Sequence, residues 1–342
     1  MHKIIVIGTS AGGLNALTHI TSMLPANLSA TVLVVMHIGA RRSLLPEILQ
    51  KQCSLPVRHA LDHDPLLPGQ VLIAPPDRHL TVESDEGRPI ARLWHGPKEN
   101  YTRPAIDPLF RSAAAQFDGH VIAVILTGYL DDGTAGLYAV KACGGYAIVQ
   151  DPQDAQIPDM PANALESVTV DQVLPLSEIG PALATLAARP ASAIVSATAE
   201  PEKPALPEWV SIENRYVRGE AGMQELQQIS VPSGYTCPEC GGALWKMNGG
   251  APSRFRCHTG HSFSARVLSE LQDQSVEAAL WTSLRALQQK VRMEDEMLDG
   301  TSNGDNSAAQ QKRHQRIEKL QADIATLQIL LANSVPVEES TT

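Results

Sequence analysis

The chain has 342 residues, of which 43% are hydrophobic and 19% charged, and its formal net charge at pH 7 is −10. This length accommodates two or three domains, and the acidic balance excludes binding to nucleic acid or acidic membrane through a general positive field. No apolar run approaches the roughly 20 residues of a membrane helix, and the chain enters a predicted strand at once, without a secretory leader. We therefore expect a cytoplasmic protein without membrane insertion.

The first half of the chain, residues 1–187, alternates short runs of valine and isoleucine with helical patterns. Strands are predicted at residues 4–7, 32–36, 71–74, 121–126 and 146–149. Helices are predicted at residues 14–23, 44–52, 104–115, 134–142 and 179–187. A local β-excursion is expected over residues 81–93. Buried strands joined by helices are typical of a doubly wound, Rossmann-like α/β domain with a mostly parallel sheet.

The second half of the chain changes composition three times. Residues 188–230 are rich in alanine, proline and serine, which indicates a linker. Residues 231–263 contain a cluster of cysteine and histidine, which predicts a small zinc-ribbon-like module. Residues 264–334 carry two long helical patterns on either side of a polar stretch, which predicts a C-terminal helical hairpin.

The first predicted strand ends in GTSAGG, residues 8–13, where Ser10 lies between Gly8 and Gly12. This G-x-S-x-G pattern is typical of a sharp strand-to-helix turn that presents a nucleophilic serine. A phosphate-binding loop is an alternative, but Ser10 replaces the middle glycine of G-x-G-x-x-G and the acidic residue expected about 20 positions later is missing. A third interpretation is that Ser10 only caps the helix.

A serine nucleophile needs a base and an orienting acid, and the ends of two other predicted strands supply them. The second strand ends at His37, and the strand at residues 121–126 is followed by Asp131 and Asp132. Because ligands of a parallel sheet bind at the carboxyl ends of its strands, we expect these side chains beside Ser10. Taken singly, the histidine is explained as a packed or solvated residue and the acids as helix caps.

Six motifs occur in one order in this half of the chain: GTSAGG, VVMHIGA, APPDRHL, YTRPAIDPLFRSAA, VILTGYLDDGTAGL and DMPANAL. Together they resemble the catalytic domain of the CheB family of chemotaxis protein-glutamate methylesterases, over about residues 1–187. The resemblance implies a serine hydrolase that demethylates glutamate γ-methyl esters on chemoreceptors and releases methanol. In some members of the family, the activity extends to deamidation of receptor glutamine. The resemblance implies no cofactor for catalysis.

Carried over position by position, the resemblance implies that Ser10 is the nucleophile, His37 the base and Asp132 the acid. Three residues of the turn before Asp132 depart from the family pattern: Tyr129, Leu130 and Asp131. They replace a methionine, a glycine and an asparagine. A bulky Leu130 is expected to alter this turn or to narrow the substrate cleft.

Four residues are expected to bind the oxyanion or the substrate: Thr9, Ala11, Tyr129 and Arg103. Backbone N–H groups around Ser10 and Tyr129 would hold the oxyanion, and Arg103 would meet an acidic receptor helix or remain solvated. Two more polar candidates are His79, for which a structural role is the favoured alternative, and Asp107. Residues 159–161 are expected to form a loop near the cleft.

The best-known members of the family carry a phosphorylatable receiver domain before the esterase domain. The esterase pattern here begins at residue 3. We therefore expect no regulation by aspartyl phosphorylation within the same chain.

The five cysteines indicate reduced thiols and a metal site rather than a disulfide framework. Cys53 and Cys143 are isolated in apolar surroundings and are predicted to be buried. The spacing of the others predicts a tetrahedral zinc site with four ligands: Cys237, Cys240, Cys257 and His261. His258 is a rival fourth ligand. Four protein ligands leave no position for water, so the zinc would be structural.

The C-terminal helices carry apolar residues at helical spacing, which predicts packing on each other or on a second chain as a homo-oligomer. A more specific interpretation is that these helices bind partner proteins. The expected partners are the cytoplasmic helices of methyl-accepting chemoreceptors and other chemosensory signalling proteins, and not nucleic acid. Two other functions remain open, a non-catalytic signalling adaptor and a nucleotide-binding protein.

Overall fold

The computed structural model describes residues 2–117, 119–189, 206–299 and 307–334. The chain divides into two compact units, Met1–Leu268 and Ser269–Thr342. The first part of the first unit contains, in order, β1 (Lys3–Thr9), α1 (Gly13–Ser22), β2 (Ala30–Met36), α2 (Leu45–Gln50), β3 (Val57–His59), β4 (Asp64–Pro65), β5 (Gln70–Ile73), β6 (His79–Asp85), β7 (Arg88–Trp94), α3 (Ile106–Phe117), β8 (Val121–Ile125), α4 (Thr134–Ala142), β9 (Tyr146–Gln150), α5 (Asp159–Ser167), β10 (Gln172–Leu174) and α6 (Leu176–Ala188).

The main sheet has seven strands in the order β10-β9-β8-β1-β2-β5-β3, and every neighbouring pair is parallel. The predicted α/β fold with its mostly parallel sheet is confirmed, and all five predicted strands lie in this sheet. The edge strands β3 and β10 were not predicted, because each has only three residues. Such a length is too short to show a periodic pattern.

Strand β1 lies at the centre of the sheet, and both of its faces are covered. Ile4 and Val6 join one buried apolar cluster, whereas Ile5 and Ile7 join a second one on the opposite face. Successive side chains of a strand point to opposite faces, so a strand buried on both sides is apolar throughout. This arrangement explains the unbroken apolar run that precedes Ser10.

Several local predictions differ from the structure, including that of helix α6, which covers Leu176–Ala188 rather than 179–187. Helix α3 begins at Ile106 rather than at 104, and α2 covers Leu45–Gln50 rather than 44–52. Residues 159–161, expected in a loop, begin helix α5. The predicted β-excursion is present as the antiparallel pair β6 and β7, joined by a tight turn in which Asp85 faces Arg88.

The rest of the chain contains α7 (Glu208–Val217), α8 (Met223–Gln228), β11 (Ser230–Thr236), β12 (Ala243–Met247), β13 (Arg254–Cys257), β14 (Ser262–Ser264), α9 (Ala265–Asp299) and α10 (Ser307–Ser334). Strands β11 to β14 form an antiparallel sheet in that order. Helices α9 and α10, the two predicted C-terminal helices, are joined by ion pairs from Glu294 to Arg313 and Arg316. No helix among the described residues has the length and hydropathy needed to cross a membrane.

The predicted linker at 188–230 differs most from the structure. Its residues 190–205 lie outside the described part of the chain, but residues 208–228 form helices α7 and α8. Val210 is buried in the core of the main sheet, and Ile212 and Leu226 pack with Met247 of β12 in a smaller core. Helices α7 and α8 thus connect the sheet of β11 to β14, called the C-terminal module below (residues 230–264), to the core of the α/β domain.

Candidate active site

The three candidate catalytic residues follow three adjacent strands of the main sheet. Ser10 follows β1, His37 follows β2, and Asp132 lies in the turn after β8. Because β8, β1 and β2 are parallel neighbours, their carboxyl ends meet at one edge. The structure therefore brings together the three residues that the sequence analysis selected.

The three side chains form a continuous chain of hydrogen bonds. His37 Nδ1 lies 3.1 Å from Ser10 Oγ, and His37 Nε2 lies 2.8 Å from Asp132 Oδ2. When Nε2 carries the proton and donates it to Asp132, Nδ1 has a lone pair that faces the Ser10 hydroxyl. This is the geometry in which a histidine takes the proton of a serine and a carboxylate keeps the ring in the required tautomer.

Asp132 is almost fully buried, with 3% of its surface exposed, and several donors hold its carboxylate. The backbone N–H of Ile106, the first residue of α3, donates to Oδ2 at 2.7 Å. The side chain of Asn100 donates to Oδ1 at 2.8 Å. The amino end of a helix carries a partial positive charge that stabilises an anion. The carboxylate of Asp132 is therefore held by hydrogen bonds and by the amino end of α3.

Asp107 lies beside Asp132, on the first turn of α3. Its carboxyl oxygens accept hydrogen bonds from the backbone of Gly136, at 2.6 Å, and from the side chain of Asn100, at 2.9 Å. Burial and the Asp132 carboxylate raise the pKa of Asp107 to about 8. The two carboxyl groups share Asn100 as a hydrogen-bond donor.

The model of the CheB methylesterase family matches residues 5–183, more than half of the chain. The chain belongs to the CheB methylesterase family. A putative protein-glutamate methylesterase/protein-glutamine glutaminase of Leptospira interrogans is 40% identical over 179 residues, which are 52% of this chain and 91% of that protein. The protein-glutamate methylesterase/protein-glutamine glutaminase of Azospirillum brasilense is 36% identical over 190 residues, which are 55% of this chain and 48% of that protein.

A solved structure supports the same assignment. The crystal structure of the CheB methylesterase catalytic domain of Thermotoga maritima is similar with a TM-score of 0.53 and 37% sequence identity. The similarity covers 54% of this chain and 99% of that domain. The triad geometry thus lies within the part of the chain that resembles the family, whereas α7 and all later elements lie outside it.

The turn that carries Ser10 is held by residues behind it. Thr9 is completely buried, and its hydroxyl donates to the carbonyl of Thr127 at 2.9 Å. This side chain has no exposed surface to offer a substrate, and its hydrogen bond supports the turn. The expected role of Thr9 in binding the oxyanion or the substrate stays a prediction. Ala11 directly follows Ser10, and its carbonyl accepts a hydrogen bond from the Thr127 hydroxyl at 2.9 Å.

Gly128 packs closely against Ser10, a contact that the sequence analysis missed. A Cβ atom at this position would lie 2.7 Å from Cβ of Ser10 and 2.1 Å from Sδ of Met160. Both separations are shorter than non-bonded atoms allow, so only glycine lets this segment approach the serine. Tyr129, which follows it, is 58% exposed. The glycine in the LTGY sequence was the available signal for this contact.

Leu130 stands where the family pattern has glycine, and its backbone adopts a conformation that favours glycine. Its φ is +61°, in the left-handed region that glycine adopts without strain. This backbone conformation is compatible with the family's glycine, and the expected effect of leucine on the turn or on the substrate cleft stays a prediction. The Leu130 carbonyl is fixed by a hydrogen bond of 2.6 Å from the side chain of Asn163.

Arg103 and His79 both have hydrogen-bond partners within the protein, and the expected role of Arg103 in substrate binding stays a prediction. The Arg103 guanidinium donates to Oδ1 of Asp77 from Nε, at 2.8 Å, and only 15% of its side chain is exposed. The Arg103 side chain is therefore not solvated, which was one of its two interpretations. Burial lowers the pKa of His79 to about 4, so the ring is neutral; it donates to the Pro97 carbonyl and accepts from the Ala105 N–H.

The predicted metal ligands converge in the C-terminal module. One ligand atom from each of four residues lies within 4.8 Å of the others, in the set Cys237, Cys240, Cys257 and His261. The sulfurs of Cys240 and Cys257 are 3.8 Å apart. Zinc–sulfur bonds of about 2.3 Å at tetrahedral angles place two sulfurs roughly 3.8 Å apart, so this group can hold a metal ion.

The rival ligand His258 does not belong to this set. Its ring lies against Gly242, where an added Cβ atom would come within 2.4 Å of Cε1. The two remaining cysteines, Cys53 and Cys143, are buried as predicted. The choice of His261 over His258 is thus supported by the positions of the rings.

Proposed function

We propose that the chain hydrolyses glutamate γ-methyl esters on chemoreceptors with Ser10 as the nucleophile. The observation that carries this proposal is the unbroken hydrogen-bond chain from Ser10 through His37 to Asp132 in a chain of the CheB methylesterase family. The curated relatives are named protein-glutamate methylesterase/protein-glutamine glutaminase. The receptor helices that carry such esters are cytoplasmic, so we propose that this chain acts there.

The reaction would proceed in two halves. His37 takes the proton of Ser10, and the serine oxygen attacks the ester carbonyl while backbone N–H groups of Ala11 and Tyr129 stabilise the oxyanion. Return of the proton from His37 releases methanol and leaves an acyl-enzyme. Water, activated by the same imidazole, then releases the glutamate carboxylate and regenerates Ser10. Asp132 fixes the histidine tautomer and stabilises the imidazolium in both halves.

Methanol release from a methylated chemoreceptor tests this function. Replacement of Ser10 or His37 by alanine is expected to lower the rate by about four orders of magnitude or more. The Thr18→Ala variant is a matched control, because this exposed hydroxyl bonds only within helix α1. A wild-type rate equal to that of Ser10→Ala would exclude the esterase and leave the signalling adaptor.

Deamidation of receptor glutamine is a second activity of the same site. The double name of the curated relatives favours it. An amide presents the same carbonyl to Ser10, and His37 would protonate departing ammonia instead of methanol. Ammonia release from an unmethylated receptor with glutamine at the modified positions tests it, again against Ser10→Ala.

We further propose that the Cys237, Cys240, Cys257 and His261 group binds structural zinc. Three thiolates and one imidazole are a preferred ligand set for zinc and fill all four tetrahedral positions. Metal analysis of the purified chain is expected to give one zinc per chain, and Cys240→Ser is expected to lose it. Equal metal content in both proteins would contradict the site.

The C-terminal helices α9 and α10 carry exposed apolar side chains that a partner would cover. Trp281 of α9 is 54% exposed and Ile329 of α10 is 62% exposed. Such residues fit the proposed homo-oligomer or docking of a chemosensory protein. Light scattering at two protein concentrations distinguishes a self-associating chain from a monomer.

A further inference from the structure

The C-terminal module touches the α/β domain close to the triad. Strand β14 runs beside residues 98–100, which precede helix α3. The backbone N–H of Asn100 donates to the carbonyl of Ser262 at 2.8 Å, and the N–H of Ser262 donates to the carbonyl of Lys98 at 3.2 Å. This strand-like pairing begins at the residue after the candidate metal ligand His261.

The side chain of Asn100 connects this strand to the triad. Its Oδ1 accepts the backbone N–H of Ser264 at 2.9 Å. Its Nδ2 donates to Asp132 at 2.8 Å and to Asp107 at 2.9 Å. Because a backbone N–H can only be accepted by the amide oxygen, Ser264 decides which way the amide points. Both amide hydrogens are thereby directed at the two carboxyl groups.

Ser264 makes a second contact with the acid-bearing turn. Its hydroxyl donates to Asp131 Oδ1 at 2.6 Å, and it accepts the N–H of Val267 at 3.1 Å. Ser264 and Asp131 are each only 3% exposed. One residue of β14 thus holds both Asn100, which bonds Asp132, and the residue directly before Asp132.

A buried group of charges keeps the module in this position. Glu99 pairs with Arg111 of α3 at 3.0 Å and with Arg256 of β13 at 3.2 Å. Glu213 of α7 pairs with Arg254 of β13 at 2.7 Å. Separation of the module would leave these charges buried without partners or expose them, which is costly. Strand β14 is therefore a fixed neighbour of Asn100.

We propose that strand β14 of the C-terminal module supports the catalytic site, with Asn100 and Ser264 as positioning residues for Asp132. Asn100 holds the Asp132 carboxylate in line with His37, and β14 holds Asn100. The inference rests on the proposed use of Ser10, His37 and Asp132 as a triad. It assigns a catalytic contribution to a part of the chain that lies outside the family match.

Covalent labelling of Ser10 by a fluorophosphonate tests the inference without a receptor. Asn100→Ala is expected to slow labelling about tenfold or more, because a hydrogen bond to a charged group is lost. In an Asp132→Asn background, Asn100→Ala is expected to cause no further loss, because a residue that acts through Asp132 has nothing left to position. Equal fold losses in both backgrounds would overturn the role.

Ser264→Ala tests the contribution of the module, and it decides the question if Asn100→Ala does not fold. Ser230→Ala is its matched control, since Ser230 is also buried in the module and makes one hydroxyl hydrogen bond of 2.6 Å, to Leu226. Both variants remove a hydroxyl, but only Ser264→Ala is expected to slow labelling, by about threefold or more. Equal labelling rates in the two variants would overturn the contribution of β14.

The two proposals fail in different ways. No labelling of wild-type Ser10 would contradict the triad itself. Rapid labelling of wild type and of Asn100→Ala alike would leave the triad intact and refute only the positioning role. Rapid labelling without methanol release from receptor would limit the failure to the proposed substrate.

Discussion

Asp131 is a carboxyl group buried next to the acid of the triad. Burial raises its pKa to about 6, with the neighbouring Asp132 acting in the same direction and Ser264 and Arg266 opposing it. Since the folded-state pKa lies above the usual value, ionisation of Asp131 destabilises the folded chain. The stability present below about pH 4 is lost as the pH rises through about 6.

Asp131→Asn is expected to stabilise the chain at pH 8 by about 1–3 kcal/mol. The amide keeps an oxygen to accept the Ser264 hydroxyl but carries no charge. At pH 4 the two proteins are expected to have nearly equal unfolding free energies, because Asp131 is then protonated. Urea unfolding at both pH values measures the difference. A stabilisation of the same size at pH 4 would mean that charge is not its cause.

Leu130 tests whether the turn before Asp132 depends on backbone conformation. Because φ is +61°, the β-branched Leu130→Ile is expected to lower the unfolding free energy by about 1–2 kcal/mol. Leu130→Gly is expected to be tolerated, as glycine adopts this φ freely. Thermal unfolding of the variants measures the difference in stability. Isoleucine is a matched replacement because its side chain has the same size as that of leucine. Equal stability of the leucine and isoleucine proteins would refute this explanation.

At the scale of elements, the residues of the proposed triad were predictable because Ser10 and His37 directly follow strands with a strong apolar pattern and Asp132 lies in the turn after a third such strand. Ser10, His37 and Asp132 also lie in motifs that resemble one family. Asn100 was not predictable, since it lies in an irregular loop and its partner Ser264 is 164 residues further along the chain. Sequence patterns report local structure, whereas this contact depends on how two sheets pack.

Helices α7 and α8 were missed for a different reason. The segment before them is rich in alanine and proline. The linker predicted from this composition also covered residues 208–228, although apolar residues recur there at helical spacing. Val210, Ile212 and Tyr216 are all at most 9% exposed. Composition averaged over a long window therefore concealed two short amphipathic helices.

Removal of one charge from the buried group is expected to destabilise the contact between elements. Glu213→Gln leaves Arg254 without its carboxylate partner in a site where Glu213 is 0% exposed. We expect a loss of about 3–5 kcal/mol in unfolding free energy. Glu220→Gln is the matched control, because its partner Arg218 lies on the surface with it, and a loss below about 1 kcal/mol is expected. Chemical unfolding measures both losses. Similar losses of unfolding free energy in the two variants would contradict the importance of burial.

At the scale of the whole molecule, the family match ends at residue 183, but the first compact unit ends at Leu268. A chain cut after residue 189 lacks Val210 from its core and Ser264 from the turn of Asp131. We expect it to unfold at lower temperature and to label Ser10 at least about tenfold more slowly than the full chain. A chain cut after residue 268 keeps these residues and is expected to label normally. Equal labelling by the two fragments would contradict this view of the unit.

The pairing of Asn100 with Ser264 also bears on how the chain is made. A ribosome adds roughly 5–20 residues per second, amino end first. The serine, the histidine and both aspartates of the turn therefore emerge well before β14 exists. We expect the growing chain to have little esterase activity until the C-terminal module has been synthesised and has folded.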